Sequence, residues 1–328
     1  MADTNDDPQE KERVETCLNQ NFPLYQIFDL DRSYAKLALS LWRLYFILAT
    51  TKMLVHPDEL FQGTQIAYDM VYGGVDLPWE WRYPYRIRNA LYPIYLSWPL
   101  RILKYFRIDF QPLVLASPYI AHFPLLIASD LSLWKIGKKV VGKPATRIAF
   151  IMMLTNHWMV ELMCRCFTNT CEMVCTVCAF VFYMRQKDKF TGSTAAFTSI
   201  LVAGFVMRST TPVGWIPLLL LKMIKDNALI PFLIAGIAVA VPLIGICIFI
   251  DSSYYQQAGQ TQDGKFEIIL SSYNFLKLNV LEGLSKYFGD HRFGEYVFNF
   301  FPIDIFKFVY PFVLLGLFNF TKDTIAKR

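Results

Sequence analysis

Long apolar stretches alternate with short charged ones along most of this chain. Eight apolar segments are visible, at about 34–55, 112–136, 147–163, 171–184, 194–207, 212–224, 228–250 and 303–320. A helix needs roughly 20 apolar residues to cross a bilayer, so the shorter segments are expected to tilt, to extend into flanking polar residues or to be re-entrant. The pattern predicts an all-α polytopic integral membrane protein with about eight transmembrane segments.

Short cationic loops separate these segments. The loops lie at 138–143, 185–189 and 222–225, and two further cations end the chain at 327–328. If all eight segments cross, these cations share one side of the membrane, and their excess of Lys and Arg marks that side as cytosolic. The opposite face then receives residues 56–111, 165–170, 208–211 and 251–302.

The composition agrees with a membrane protein. Hydrophobic residues make up 54% of the chain and charged residues 18%, whereas soluble proteins carry about 25% charged residues. The net charge of +5 is modest, and its cations cluster between apolar segments, so they indicate topology and no nucleic-acid surface. The first thirty residues are acidic and polar, unlike the cationic start of a cleavable signal peptide. The first apolar segment is therefore expected to be an uncleaved anchor.

Five of the seven cysteines fall between 164 and 178. Cys171, Cys175 and Cys178 are spaced to share one helix face. Packing between membrane helices is the favoured interpretation and a metal site is the alternative; no disulfide framework is indicated. The chain has no glycine-rich phosphate loop, no zinc spacing of Cys and His, and no Ser-His-Asp candidate, which removes most soluble enzyme classes.

The heptapeptide at 56–62, HPDELFQ, carries the most specific chemistry. Adjacent carboxylates, Asp58 and Glu59, follow the first apolar segment, and ionisable groups placed at a membrane are costly. One of the two is expected to face a cavity while the other supports it. Asp58, on the shorter stem, is the better candidate for a general base, and Glu59 would bind acceptor hydroxyls or orient the loop. Capping of a helix N-terminus explains the pair equally well when it is taken alone.

An acidic pair at the membrane surface, followed by an aromatic and cationic stretch, suits binding a phosphorylated lipid and activating a hydroxyl. Sugar transfer from a lipid phosphate is a reaction of this kind, and it needs few protein groups. One carboxylate takes the proton from the acceptor hydroxyl, whereas the phosphate departs already charged and needs cations. Glycosidases use two carboxylates because their leaving group must be protonated. Arginine suits a phosphate because its planar fork matches the oxygens. The cations available on the non-cytosolic face are Arg82, Arg86, Arg88, Arg165, Arg208, His291 and Arg292. Each of them could instead anchor the chain to lipid headgroups.

The first long loop also contains aromatic residues. Trp79 and Trp81 flank Glu80 and could stack against a sugar or belong to an interfacial aromatic belt. Further along the same loop, the apolar and aromatic residues of 90–106 predict a helix that lies in the membrane interface.

Three ionisable residues lie inside apolar segments: Arg43, Asp130 and Glu161. Such groups are either functional or paired with each other between helices, and the sequence leaves both interpretations and the partners open.

Motifs along the chain follow the order and spacing of a known family. They lie at 56–62, 78–81, 88–93, 165–172, 208–211, 215–218 and 251–255. Together they resemble the family 22 glycosyltransferases of the GT-C fold over about residues 35–305. The segments 274–280 and 287–291 are most similar to the branch of that family that adds the third mannose to the GPI anchor precursor.

The resemblance implies a multi-pass endoplasmic reticulum enzyme with a lumenal active site. It would move mannose from dolichyl-phosphate mannose to a GPI precursor, through an α-1,2 linkage and with inversion, and Asp58 would be the base with Glu59 beside it. The residues implied in substrate binding are His56, Gln62, Trp79, Glu80, Trp81, Arg88, Arg165, Asn169, Arg208 and His291. No cofactor or metal is implied, and the expected partners are the lipid-linked donor, the glycolipid acceptor and the bilayer, without nucleic acid.

The apolar segments, the charge pattern and the resemblance together predict a domain organisation. Residues 1–33 would form an acidic cytosolic tail, and residues 321–328 a second cytosolic tail. Residues 34–320 would form one GT-C-like membrane domain with lumenal loops at 56–111 and 251–302.

Three alternatives remain. A sister enzyme would add the fourth GPI mannose or build the N-glycan precursor. A truncated, inactive family member would bind lipid-linked glycan without transferring sugar, because the chain ends earlier than members of the family do. A transporter would place functional groups at mid-membrane, whereas the densest groups here follow the apolar segments.

Overall fold

All regular secondary structure in the described part of this computed structural model is helical. The described residues are 28–52, 56–186, 189–288, 293–295, 298, 310–311, 313–316 and 318, and they contain no β-strand. The all-α prediction is therefore confirmed for this part of the chain.

Fourteen α-helices are described, and we number them in chain order. They are α1 (Ser33–Thr50), α2 (Pro57–Glu59), α3 (Gln65–Tyr72), α4 (Leu91–Phe106), α5 (Gln111–Val140), α6 (Lys143–Thr155), α7 (His157–Met163), α8 (Thr168–Tyr183), α9 (Gly192–Met207), α10 (Thr211–Lys225), α11 (Leu229–Ala235), α12 (Val241–Gln257), α13 (Ser271–Leu276) and α14 (Phe293–Glu295).

Shorter helical turns join or follow some of these helices. π-Helical turns connect α2 to α3 (Leu60–Thr64) and α11 to α12 (Gly236–Ala240), and a third follows α13 (Lys277–Leu281). Three 3₁₀ turns are Trp79–Trp81, Gln262–Gly264 and Leu284–Phe288.

Where the structure describes the predicted apolar segments, they coincide with helices, but this agreement does not give the number of membrane crossings. Among the described residues, only Gln111–Val140 and Leu229–Gln257 are long and apolar enough to span a bilayer. α8 and α9 have 16 residues each, which is about 24 Å at 1.5 Å per residue, short of the roughly 30 Å hydrocarbon core. Eight crossings therefore stay a prediction, and most of the segment 303–320 lies outside the described residues.

Two predicted boundaries are corrected. The segment 147–163 is broken at Asn156, whose side chain caps α7 by accepting from the Met159 amide at 3.2 Å. The region 251–302 does not begin as a loop, because α12 continues to Gln257 and its Asp251 is buried. The predicted helix at 90–106 is confirmed as α4, which buries one side against α5 through Leu96 and Leu100.

α5 is the central helix, and it packs against α1, α4 and α8. The largest core cluster lies around it and includes Ile47, Leu96, Leu126 and Cys171. Cys164 and Cys166 belong to the same cluster, which agrees with the packing interpretation of the cysteines. No group of His, Cys, Asp and Glu with the geometry of a metal site occurs in the described part of the chain.

The partners of two charges inside apolar segments are now visible. Arg43 on α1 forms a two-pronged ion pair with Asp130 on α5, with Nε–Oδ2 and Nη2–Oδ1 distances of 2.8 and 2.9 Å. Both side chains are fully buried. The pair joins two core helices and is absent from the lining of the cavity at Asp58, which favours the structural interpretation.

A close backbone approach brings the 57–72 helix onto the core. Gly63 lies in its π-helical turn, and a Cβ atom there would be 3.2 Å from both the Cys166 carbonyl oxygen and Leu96 Cδ1. Since contacts this short require the neighbours to move, only glycine lets the helix that carries residues 56–62 sit this close to α4 and to residue 166.

Gly63→Ala is expected to lower the free energy of unfolding by about 1–3 kcal/mol, the usual cost of overpacking a core. The measurement is thermal unfolding in detergent followed by tryptophan fluorescence. Gly245→Ala is the matched control, because nothing lies within 4 Å of the added Cβ atom on α12. Equal unfolding temperatures for the two variants would contradict the close approach at Gly63.

Candidate functional site

Four distant chain segments meet around an open cavity of about 420 Å³. They are the start of α2, the Trp79–Trp81 turn with the residues after it, the facing ends of α8 and α9, and the α13 region. Its lining residues are His56, Asp58, Gln62, Trp79, Glu80, Ile87, Arg88, Asn89, Asn169, Val206, Met207, Arg208, Ser209, Ser272, Phe275 and Asn279. The cavity brings together most residues that the sequence singled out; Glu59, Trp81 and Arg165 are not among its lining residues, and His291 lies outside the described residues.

Asp58 presents its carboxylate at this cavity. Pro57 starts α2, and the His56 ring caps the helix by accepting from the Asp58 amide at 3.2 Å. The side chain of Asp58 is 52% exposed, and its Oδ1 lies 3.7 Å from His56 Nδ1. A carboxylate in the first turn is also favoured by the partial positive charge of the helix N-terminus. An exposed carboxylate beside a histidine can take a proton from a bound hydroxyl.

Glu59 points the opposite way, into the protein. Its carboxylate accepts from Arg165 Nε at 2.9 Å and lies 2.8 Å from Arg165 Nη2, and both side chains are buried. Arg165 Nη1 also donates to the Thr50 carbonyl at 2.5 Å, and its guanidinium lies 5.0 Å from the Tyr119 ring centroid. Glu59 thus ties α2 to the end of α1 and to the turn at 165.

The adjacent carboxylates are therefore divided between two environments. Consecutive helix residues are about 100° apart around the axis, so Asp58 and Glu59 cannot share a face. The expectation that Glu59 and Arg165 contact substrate is not supported by this geometry, because the two side chains are buried and form an ion pair with each other. The other expectation for Glu59, that it orients its segment, fits its contacts.

The two tryptophans of the Trp79–Trp81 turn are likewise separated. Trp81 is fully buried; its Nε1 donates to the Phe61 carbonyl at 3.1 Å, and its ring packs against Tyr254 and Tyr255. It is a core residue, which corrects its assignment to substrate binding. Trp79 is partly exposed and lines the cavity, so it is the tryptophan of the two that could stack against a sugar.

Two arginines reach the cavity, and each is held by a carboxylate. Arg88 binds Glu80 through Nε–Oε2 and Nη2–Oε1 distances of 3.1 and 2.6 Å. Arg208 pairs with Glu172, with an Nε–Oε2 distance of 2.9 Å, and donates to Asn169 Oδ1. Burial lowers the pKa of the Arg208 guanidinium from its usual value, and the Glu172 carboxylate opposes that shift. Both cations are pre-oriented, so an anion would meet fixed donors.

The other arginines of the first loop lie elsewhere. Arg86 pairs with Glu267 at 2.7 Å, and this hydrogen bond lowers the pKa of the Glu267 carboxyl. Arg82 donates to the Leu77 carbonyl and lies 3.8 Å from Asp76 at the surface. Of the loop arginines considered for phosphate binding, only Arg88 lines the cavity.

Some lining residues were missed by the sequence analysis. Phe275 and Asn279 are four positions apart in the helical stretch that begins at α13, so they share one face, and the Arg88 guanidinium lies 5.8 Å from the Phe275 ring centroid. The sequence marked 274–280 only as a stretch of family resemblance. The i, i+4 spacing was visible, but nothing in it indicated which cavity the face would meet.

Arg88→Lys is expected to raise the KM for an anionic donor about tenfold while changing kcat less, because an ammonium keeps the charge but loses the planar fork. The measurement is the initial rate of transfer against donor concentration. Arg82→Lys is the matched control, since Arg82 lies outside the cavity lining. An unchanged KM in Arg88→Lys would remove Arg88 from the donor site.

Comparison with known proteins gives a consistent family assignment. The sequence model of the Alg9-like mannosyltransferase family matches residues 37–327 of this chain. The chain is 28% identical over 264 residues to "GPI alpha-1,2-mannosyltransferase 3" of Bos taurus, covering 80% of this chain and 46% of that protein. It is 26% identical over 249 residues to the Homo sapiens protein of the same name, covering 75% and 42%. A "GPI mannosyltransferase 3" of Debaryomyces hansenii is 27% identical over 316 residues, covering 93% and 53%.

The chain spans about half the length of the curated relatives it matches. No solved structure matches it.

Proposed function

Because this chain belongs to the Alg9-like mannosyltransferase family, we propose that it transfers mannose from dolichyl-phosphate mannose to a GPI-anchor precursor. The proposed reaction adds the third mannose through an α-1,2 linkage. The matched relatives named for GPI mannosyltransferase 3 support this choice of acceptor and linkage.

One observation carries the proposal. A half-exposed carboxylate, Asp58, faces a cavity that also presents Arg88 and Arg208. The other carboxylate of the lining, Glu80, is paired with Arg88. One carboxylate outside an arginine pair, with cations beside it, suits transfer from a sugar phosphate, because the leaving phosphate needs charge stabilisation and no proton. Two carboxylates at glycosidase spacing would instead suit hydrolysis, and Glu59 is turned away from the cavity.

The proposed chemistry follows from these positions. Asp58 takes the proton from the acceptor hydroxyl, and that oxygen attacks the anomeric carbon of mannose. The bond from this carbon to the phosphate oxygen breaks, the configuration inverts, and dolichyl phosphate leaves with both electrons of that bond. Arg88 and Arg208 stabilise the departing phosphate, while Trp79 offers an aromatic face to a sugar ring.

The proposed location is the endoplasmic reticulum membrane, with the cavity on the lumenal side. Two helices long and apolar enough to span a bilayer support membrane insertion. The positive-inside pattern of the loops at 138–143, 185–189 and 222–225 supports the orientation. The segments 56–62 and 208–209, which contribute lining residues to the cavity, fall on the other side of the predicted spans.

Complementation tests the proposal. The full chain is expressed in cells lacking the third-mannose GPI transferase, and surface GPI-anchored protein and lipid intermediates are measured. Rescue with loss of the two-mannose intermediate is the expected result. Failure despite stable membrane expression would overturn it, and the same chain in cells lacking the fourth-mannose or N-glycan enzymes then tests the sister specificities.

A further inference from the structure

The segment that carries Arg88 is held by residues 161 to 188 positions further along the chain. Tyr255 on α12 donates its hydroxyl to the Arg88 carbonyl at 2.6 Å. Asn274 on α13 donates to the Arg86 carbonyl at 3.2 Å. The backbone on both sides of Ile87 is therefore fixed from outside its own loop.

Asp251 makes the densest set of these contacts. Its Oδ1 accepts from the Ala90 amide at 2.8 Å, and its Oδ2 accepts from Asn89 Nδ2 at 2.7 Å and from the Ser271 hydroxyl at 2.8 Å. Asp251 is buried. Three donors converge on the two oxygens of this side chain, so the site favours a residue that presents two acceptor oxygens.

Asn89 connects this buried group to the cavity. Its Nδ2 binds Asp251, its Oδ1 accepts from the Leu91 amide at 2.8 Å at the start of α4, and the residue lines the cavity. The neighbouring Arg88 sends its side chain to Glu80 in the same cavity. Asp251 and Tyr255 are four residues apart on one face of α12, so they hold residues 88–90 as a unit.

We propose that Asp251 is a positioning residue for the transfer reaction: through Asn89 and the Ala90 amide it fixes the backbone from which Arg88 reaches the donor phosphate. This inference deepens the proposed function and rests on it. Asp251 touches no substrate, and its effect passes through the geometry of residues 88–90. Because hydrogen bonds are directional, losing these contacts lets Arg88 leave the position in which its fork meets a phosphate.

The chain offers a donor–acceptor exchange as a test. Asp251→Asn leaves one acceptor oxygen where there were two, so its NH2 group faces either Asn89 Nδ2 or the Ala90 amide, and two donors meet. Asn89→Asp places two carboxylates against each other. In the double variant Asp251→Asn/Asn89→Asp, the amide at 251 donates to the carboxylate at 89, so one donor again faces one acceptor. The net charge is unchanged. Residue 89 can still accept from the Leu91 amide in that variant, since a carboxylate has two oxygens.

Two readouts separate positioning from general loss of structure. The first is the kinetics of mannose transfer by the full chain in detergent, with dolichyl-phosphate mannose as the varied substrate. Displaced Arg88 raises the donor KM, whereas a smaller folded fraction lowers the apparent kcat alone. The second is hydrogen–deuterium exchange of the peptide that contains the Ala90 and Leu91 amides, which needs no activity.

Each single variant is expected to raise the donor KM about tenfold, as for a lost hydrogen bond to a charged group. It should also speed exchange at residues 90–91. The double variant is expected to bring the donor KM and the exchange rate at residues 90–91 back toward the values of the unmodified protein. Asp226→Asn is the control, because Asp226 pairs with Lys222 at the far end of α10 from Arg208 and lines no part of the cavity.

An unchanged KM and unchanged exchange in Asp251→Asn would overturn the inference, as would single-variant defects that the double variant does not relieve. If the unmodified chain transfers no mannose to any GPI or N-glycan acceptor, the proposed function fails. Exchange at residues 90–91 then still decides whether Asp251 holds the segment, so the two failures are distinguishable.

Discussion

Asp58→Asn is expected to reduce mannose transfer about a thousandfold or more, because it removes the group that accepts the proton of the acceptor hydroxyl. The amide keeps the size of the side chain, and the cap of α2 is made by the His56 ring, so folding should be unaffected. The measurement is transfer of radiolabelled mannose from dolichyl-phosphate mannose, at matched amounts of membrane-inserted protein.

Asp76→Asn is the matched control for this loss. Asp76 lies in the same loop, is fully exposed, and only approaches Arg82 at 3.8 Å, so removing its charge should leave transfer unchanged. Activity in Asp58→Asn within a few-fold of the control would mean that another group takes the proton, and the assignment of Asp58 as base would be abandoned.

Glu59→Gln is expected to destabilise the fold by about 3–5 kcal/mol, the cost of leaving a buried charge without its partner. Arg165 is fully buried and depends on the Glu59 carboxylate at 2.8 Å. The measurement is the temperature of unfolding in detergent, together with the amount of protein that inserts into membranes. Loss of activity in this variant should follow the loss of folded protein.

The double variant Glu59→Leu/Arg165→Met is the companion to this experiment. Removing both charges leaves no unpaired group, so much of the lost stability should return, as replacing a buried ion pair with apolar side chains often does. A Glu59→Gln protein with the unfolding temperature of the unmodified protein but no mannose transfer would contradict the structural role. Glu59 would then be assigned a direct part in the transfer reaction.

The two acidic neighbours thus have opposite expected phenotypes. Asp58→Asn should remove activity and keep the fold, while Glu59→Gln should remove the fold and activity together. The reason lies in a single helical step, which turns one carboxylate to the cavity and the other to Arg165.

Much of the architecture could be predicted from local patterns. The helices match the apolar segments because the spacing and length of apolar runs are properties of neighbouring residues. The helix at 90–106 was visible for the same reason. The break at Asn156 was not predicted, because a capping side chain there competes with an apolar run on both sides.

Some residues of the candidate site were predicted correctly from the sequence and others were not. Asp58, Trp79 and Arg88 were all found from their residue types, and the structure places them around one cavity. Trp81 has the same residue type as Trp79 two positions away, but it packs against Tyr254 and Tyr255. Residue type therefore identified the candidates, and burial separated those that can meet a ligand from those that cannot.

By itself, the sequence determined the helical class, the order of the apolar segments and the presence of an acidic pair at the start of α2. Only the tertiary structure decided that Glu59 meets Arg165, that Arg208 meets Glu172, that Arg43 meets Asp130, and that Phe275 joins Asp58 at one cavity. The first class of fact depends on residues within a few helical turns of each other. The second depends on which helices pack together, and pairs separated by 106 or 87 positions are brought together by that packing, which no local pattern encodes.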